Sequence, residues 1–80
     1  MVINTLLFAS YADALGRESV PITLPAGATV ADALAHLRAL PGGDRLPPAP
    51  LVAINLEYSH TDATLSAGDE LAVIPPVAGG

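Results

Sequence analysis

Apolar and polar positions alternate from the start of the chain. Residues 2–8 carry no Gly or Pro and are mostly large apolar or β-branched. That pattern predicts a strand, with Ile3, Thr5 and Leu7 on one face and Leu6 and Phe8 on the other. Ser10-Tyr11-Ala12-Asp13 has the form of a capping box with Asp in the Glu position, and Leu15-Gly16 follows. One short helical turn closed by glycine is therefore expected. Residues 18–24 alternate again through Val20, Ile22 and Leu24, and Pro21 cannot donate a ladder hydrogen bond, so this strand belongs at a sheet edge.

After a turn at Pro25-Ala26-Gly27-Ala28, the spacing changes from two to about three and a half. Thr29-Val30-Ala31-Asp32 is a second box-like start, and Val30, Ala33, Leu34 and Leu37 form one helical stripe. The helix is expected to stop near Leu40, because Pro41-Gly42-Gly43 cannot continue it. Residues 41–50 are rich in Pro and Gly and read as the loosest internal segment. Residues 51–54 read as a short strand, Asn55-Leu56-Glu57-Tyr58 as a turn into a brief one, Ala67-Gly68-Asp69 as a turn, and residues 70–75 as the last strand.

The order strand, strand, helix, strand, short strand, strand predicts an α+β fold, a mixed sheet packed on one main helix. That is the β-grasp, or ubiquitin-like, arrangement, with the first and last strands parallel at its centre. The expected division is a folded domain over residues 1–75 and an extended tail over residues 76–80.

Composition narrows the chemistry. Over half of the 80 residues are apolar, enough for a packed core. A domain this small has little room for a deep substrate cavity. No apolar run reaches bilayer-spanning length, and the start lacks the basic flank of a signal peptide, so a cytoplasmic protein is expected. The formal net charge of -5 opposes nucleic-acid binding and suits either a partner with a basic docking surface or solubility alone. There is no cysteine and no lysine; the only strong bases are Arg17, Arg38 and Arg45.

The usual catalytic groups are missing. His36 and His60 are far apart, with no carboxylate at metal-ligand spacing, so no metal site is expected. No serine lies in a nucleophile-elbow context, and the carboxylates form no convincing acid–base pair. What remains is Ile74-Pro75-Pro76-Val77-Ala78-Gly79-Gly80. Most chain ends fray. Here Pro75-Pro76 would stiffen the exit from the last strand, and Ala78, Gly79 and Gly80 are slim enough to thread a narrow channel. A free Gly80 carboxylate would be ionised and a poor acyl electrophile until activated, for example as a mixed anhydride with AMP. Leu6 and Phe8, on the face that one helix cannot cover, suggest a docking patch continued toward the tail by Pro76 and Val77.

With these residues in view, the chain resembles the family of small, sulfur-carrying subunits of molybdopterin synthase. The resemblance rests on Leu6-Leu7-Phe8-Ala9, Leu15-Gly16, Thr29-Val30-Ala31-Asp32-Ala33-Leu34, Val52-Ala53-Ile54-Asn55, Gly68-Asp69-Glu70 and, above all, the double proline before Gly79-Gly80. It implies a sulfur carrier of molybdenum cofactor biosynthesis. An ATP-dependent activating enzyme would adenylate Gly80, and a donor such as a cysteine desulfurase would turn it into a thiocarboxylate. Sulfur would then pass to cyclic pyranopterin monophosphate in the large catalytic subunit of a heterotetramer. Val77, Ala78 and Gly79 would lie in the partner's active site, and Leu6, Phe8, Pro75 and Pro76 at the interface. No cofactor would be held permanently, and the catalytic residues would belong to the large subunit. The alternatives are a carrier for thiamin thiazole synthesis and a ubiquitin-like binding module without chemistry. Three departures stand out. Leu56 replaces the glycine of a common Asn-Gly turn, predicting a looser hairpin. Tyr11-Ala12-Asp13 replaces a common basic residue, and Ser66-Ala67 replaces a common lysine.

Overall fold

A computed structural model describes residues 1–76 of the chain. The first strand, β1 (Val2–Leu7), buries Ile3, Thr5 and Leu7 and turns Val2 and Asn4 outward, with Leu6 half-buried. The helix that follows, α1 (Ala9–Leu15), spans about two turns rather than one. Ser10 does not cap it. Phe8 does, through its backbone carbonyl, which accepts from Tyr11 N–H at 3.0 Å and Ala12 N–H at 3.4 Å. Starting the helix this early carries Tyr11 into the core, and burial of its ring outweighs a side-chain cap at Ser10. Gly16, at φ 69°, closes the helix as expected.

The second strand, β2 (Ser19–Thr23), lies antiparallel to β1 at one sheet edge, with Pro21 opposite Asn4 and facing solvent. The main helix, α2 (Val30–Arg38), begins with the expected capping box. Asp32 Oδ2 accepts from Thr29 N–H at 2.8 Å, and Thr29 Oγ1 accepts from Asp32 N–H at 3.4 Å. Its stripe of Val30, Ala33, Leu34 and Leu37 is buried. The helix stops two residues before Leu40, whose N–H turns to Leu37 O instead.

Residues 41–50 are more tightly held than their composition predicts. A 3-10 turn over Gly43–Arg45 brings Gly43 and Leu46 into the interior, and Arg38 Nε donates to Leu46 O at 3.0 Å. One buried leucine with a bonded carbonyl anchors a stretch that Pro and Gly alone would leave loose.

Three strands complete the sheet: β3 (Leu51–Ile54), β4 (Glu57–Ser59) and β5 (Glu70–Ile74). The order is β2-β1-β5-β3-β4, with β1 and β5 parallel and the other neighbours antiparallel. Ile3, Leu7, Val20, Ile22, Val52, Leu71 and Val73 meet the α2 stripe in one core. Each large apolar side chain buried there contributes roughly 1.5–3 kcal/mol. This is the β-grasp arrangement. The hairpin between β3 and β4 is tight rather than loose: Ile54 pairs with Glu57 across a two-residue turn, with Asn55 at φ 49° and Leu56 at φ 73°. Both values belong to a type I′ turn, which leucine enters at a cost of about 1–2 kcal/mol.

Candidate functional site

Because α2 covers one face of the sheet, pairing register decides what the other face presents. Leu6 lies opposite Ala72, Ala72 opposite Ala53, and Ala53 opposite Tyr58. Directly paired residues share a face, so these four form an apolar row across four strands. A second row lies nearer the end of β5, where Leu51 pairs with Ile74. Phe8 stands one residue beyond the last β1–β5 pair, Leu7 with Val73, and so at the same end. It is 46% exposed, and Leu51 and Tyr58 are exposed as well.

Pro75 and Pro76 follow Ile74 directly, with Pro75 half-buried and Pro76 exposed. Neither has an N–H to extend the ladder, so pairing stops at Ile74 and the chain departs from a fixed point. β5 is held on both sides, by β1 and by β3, which fixes that point. Of the residues expected at an interface on the basis of sequence, Leu6 lies in the first row of the open face and Phe8 beyond it, while Pro75 and Pro76 follow the strand end at Ile74. Val77, Ala78, Gly79 and Gly80 lie outside the described residues.

Tyr58, Ala53, Ala72, Leu51 and Ile74 were not singled out as members of this face from sequence. Alternation through β3 and β5 carries the signal, but the four- and five-residue strands are too short for it to stand clear of a buried run. A cleft beside Phe8, lined by Leu6, Ala9, Ala12 and Glu18, extends the face toward α1.

Both histidines are exposed and stand on different elements, His36 on α2 and His60 beyond β4. Among the described residues no group of three or more His, Asp or Glu side chains could hold a metal ion. No helix among them is long and apolar enough to cross a membrane. An exposed apolar surface of this kind can dock a partner.

The ThiS family is matched over residues 5–80 of the chain. The molybdopterin synthase sulfur carrier subunit of Arabidopsis thaliana is 33% identical over 79 residues, covering 98% of this chain and 82% of that protein. Its counterpart of the same name in Dictyostelium discoideum is 34% identical over 79 residues, covering 94% and 92%. Among solved structures, SAMP1 of Haloferax volcanii, a small archaeal modifier protein, superposes with a TM-score of 0.86. It is 32% identical, and the match covers 100% of both chains.

Proposed function

The chain belongs to the ThiS family, and on that premise we propose that it is the sulfur carrier of a molybdopterin synthase. The observation that carries this reading is the likeness to two proteins of that name, each about a third identical over nearly the whole chain. On this reading residues 1–75 are the docking body and residues 76–80 the working tail, and the carrier acts in the cytoplasm.

The chemistry follows from the terminus. An oxygen of the Gly80 carboxylate attacks the α-phosphorus of ATP on an activating enzyme, releasing pyrophosphate and leaving an acyl-adenylate. The terminal sulfur of a persulfide on a donor such as a cysteine desulfurase then attacks the glycyl carbonyl and expels AMP. A second thiol cleaves the resulting acyl disulfide, releasing the thiocarboxylate and leaving the donor sulfur in a disulfide. Glycine leaves that carbonyl open on both sides. The large subunit receives Val77, Ala78 and Gly79 in its active site, with Leu6, Phe8, Pro75 and Pro76 at its surface. It supplies the catalytic residues that pass sulfur to cyclic pyranopterin monophosphate. A chain without cysteine and lysine has no side-chain thiol or ε-amine to intercept the activated carbonyl.

The test is reconstitution. With activating enzyme, ATP and a sulfur source, one oxygen of the chain should be replaced by sulfur, and fragmentation should locate the change at Gly80. The charged carrier and a large subunit should then convert the pyranopterin precursor. Charging that feeds thiazole synthesis and leaves the pyranopterin untouched would overturn the pathway while keeping the chemistry.

The likeness to SAMP1 favours a second reading, in which an amine of another protein attacks the activated Gly80 carbonyl and forms an amide. ATP-dependent, sulfur-independent adducts of higher mass would support it; their absence alongside thiocarboxylate formation would reject it.

A further inference from the structure

The β3–β4 turn presents a leucine where the backbone disfavours one. Asn55 and Leu56 both have positive φ, and Leu56, at 73°, lies in the left-handed region that branched apolar side chains rarely enter. Exposed leucines are ordinary by themselves. This one is 91% exposed, so no packing within the chain compensates for its backbone. Glycine would make the same turn at lower cost.

The turn is also held in place. Asn55 N–H donates to Glu70 O at 2.9 Å, and Asn55 Oδ1 accepts from Glu70 N–H at 3.0 Å. Asn55 Nδ2 donates to Asp69 Oδ1 at 3.0 Å, while Asp69 Oδ2 accepts from Ser66 N–H at 2.8 Å. The leucine is thus fixed to the start of the central strand. Its surroundings are acidic: Glu57 follows it, and Asp69 and Glu70 hold the residue before it. All three arginines of the chain stand elsewhere, at 17, 38 and 45.

We propose that Leu56 is an anchor that enters an apolar pocket, rimmed by basic side chains, on the large subunit that receives the tail. The proposal rests on the carrier reading above. Leu56 stands at the end of the sheet where β5 begins, and the tail departs where β5 ends, roughly 13–17 Å away for a five-residue strand. Tyr58, two residues further on, joins the turn to the apolar row of the open face. A partner gripping both ends of the central strand could accept the tail in only one orientation. Strain retained at a fully exposed position has its return in binding, because a pre-positioned side chain loses little freedom on docking.

Leu56→Gly separates this role from a structural one. The variant should melt at the wild-type temperature or higher, since the strained backbone is relieved, yet bind the large subunit about tenfold more weakly by calorimetry. Leu56→Asp should bind more weakly still. Raising the salt concentration should weaken wild-type binding more steeply than that of a Glu57→Gln variant. Wild-type chain that binds the large subunit no better than Leu56→Gly would overturn the anchor and leave the carrier reading intact. Wild-type chain that binds no large subunit at all would overturn both. A lower melting temperature for Leu56→Gly would make the leucine structural and defeat the proposal.

Discussion

Gly43 lies directly against the carbonyl of Leu37: a Cβ added to the glycine would stand 2.0 Å from that oxygen. This contact docks the 3-10 turn onto the last turn of α2, with Leu46 buried and its carbonyl held by Arg38. Gly43→Ala should therefore destabilise the fold by about 2–3 kcal/mol, as overpacking does where backbone is the obstacle. Gly27, at φ 86°, meets nothing within 4 Å of an added Cβ. Gly27→Ala should cost only about 1 kcal/mol, the penalty of a left-handed backbone. Urea denaturation of both variants checks the ranking.

Much of the fold was legible because two periodicities are nearly unbroken. The stripe of Val30, Ala33, Leu34 and Leu37 identified α2 and its buried face, and Ile3, Thr5 and Leu7 did the same for β1. Pro21 identified the edge, because a missing donor is tolerated only there. What failed were the places where tertiary contacts override local chemistry. Ser10 offered a cap, but burying Tyr11 moved the helix start to Phe8. Leu46 sits among prolines, and its burial has no local signature. Leu56 broke the rule for a tight turn, yet hydrogen bonds from Asn55 to a segment fifteen residues away impose that turn. At the candidate site, Leu6 and Phe8 were readable from alternation, whereas Tyr58 and Ala53 join them only through strand register.

The turn network gives a second prediction. Asn55→Ala removes both side-chain bonds, to Asp69 and to Glu70 N–H, and also replaces a residue that tolerates positive φ. A loss of about 1–3 kcal/mol is expected. Asp69→Ala should cost about 1–2 kcal/mol, since Ser66 N–H and Asn55 Nδ2 lose an acceptor but can turn to water. The double variant should lose less than the sum, and thermal melts of the four proteins measure the coupling.

A third prediction concerns the open face. Phe8 is half-exposed and stands one residue beyond the last β1–β5 pair, Leu7 with Val73, at the end of the sheet where β5 gives way to Pro75 and Pro76. Its side chain contributes little to the core, so Phe8→Asp should fold with a melting temperature near wild type. Binding to the large subunit should weaken by at least about 2 kcal/mol, as for an aromatic anchor at the centre of an interface. Unchanged affinity in a calorimetric titration would remove Phe8 from that surface. Pro21→Ala, on the far edge strand, is the control and should bind as wild type does.

The last prediction is that the length of the tail matters to the ångström. Pairing on both sides of β5 fixes where the chain departs, and two residues without N–H groups follow. From Pro76, the four residues 77–80 reach at most about 13–14 Å. A partner that reacts with the Gly80 carbonyl must hold its own groups at that radius from the docked face. One added alanine moves the terminal carbonyl by about 3.5 Å, and misplacement of roughly 1 Å can cost about a hundredfold in rate. Chains lacking Gly80, or carrying an alanine after it, should melt at the wild-type temperature and still bind through Leu6 and Phe8. They should fail both in ATP-dependent charging and in sulfur transfer. Mass spectrometry before and after the assay guards against trimming. An extended chain that turns over while remaining extended would show that the terminus is not the working group, whatever the fold around it.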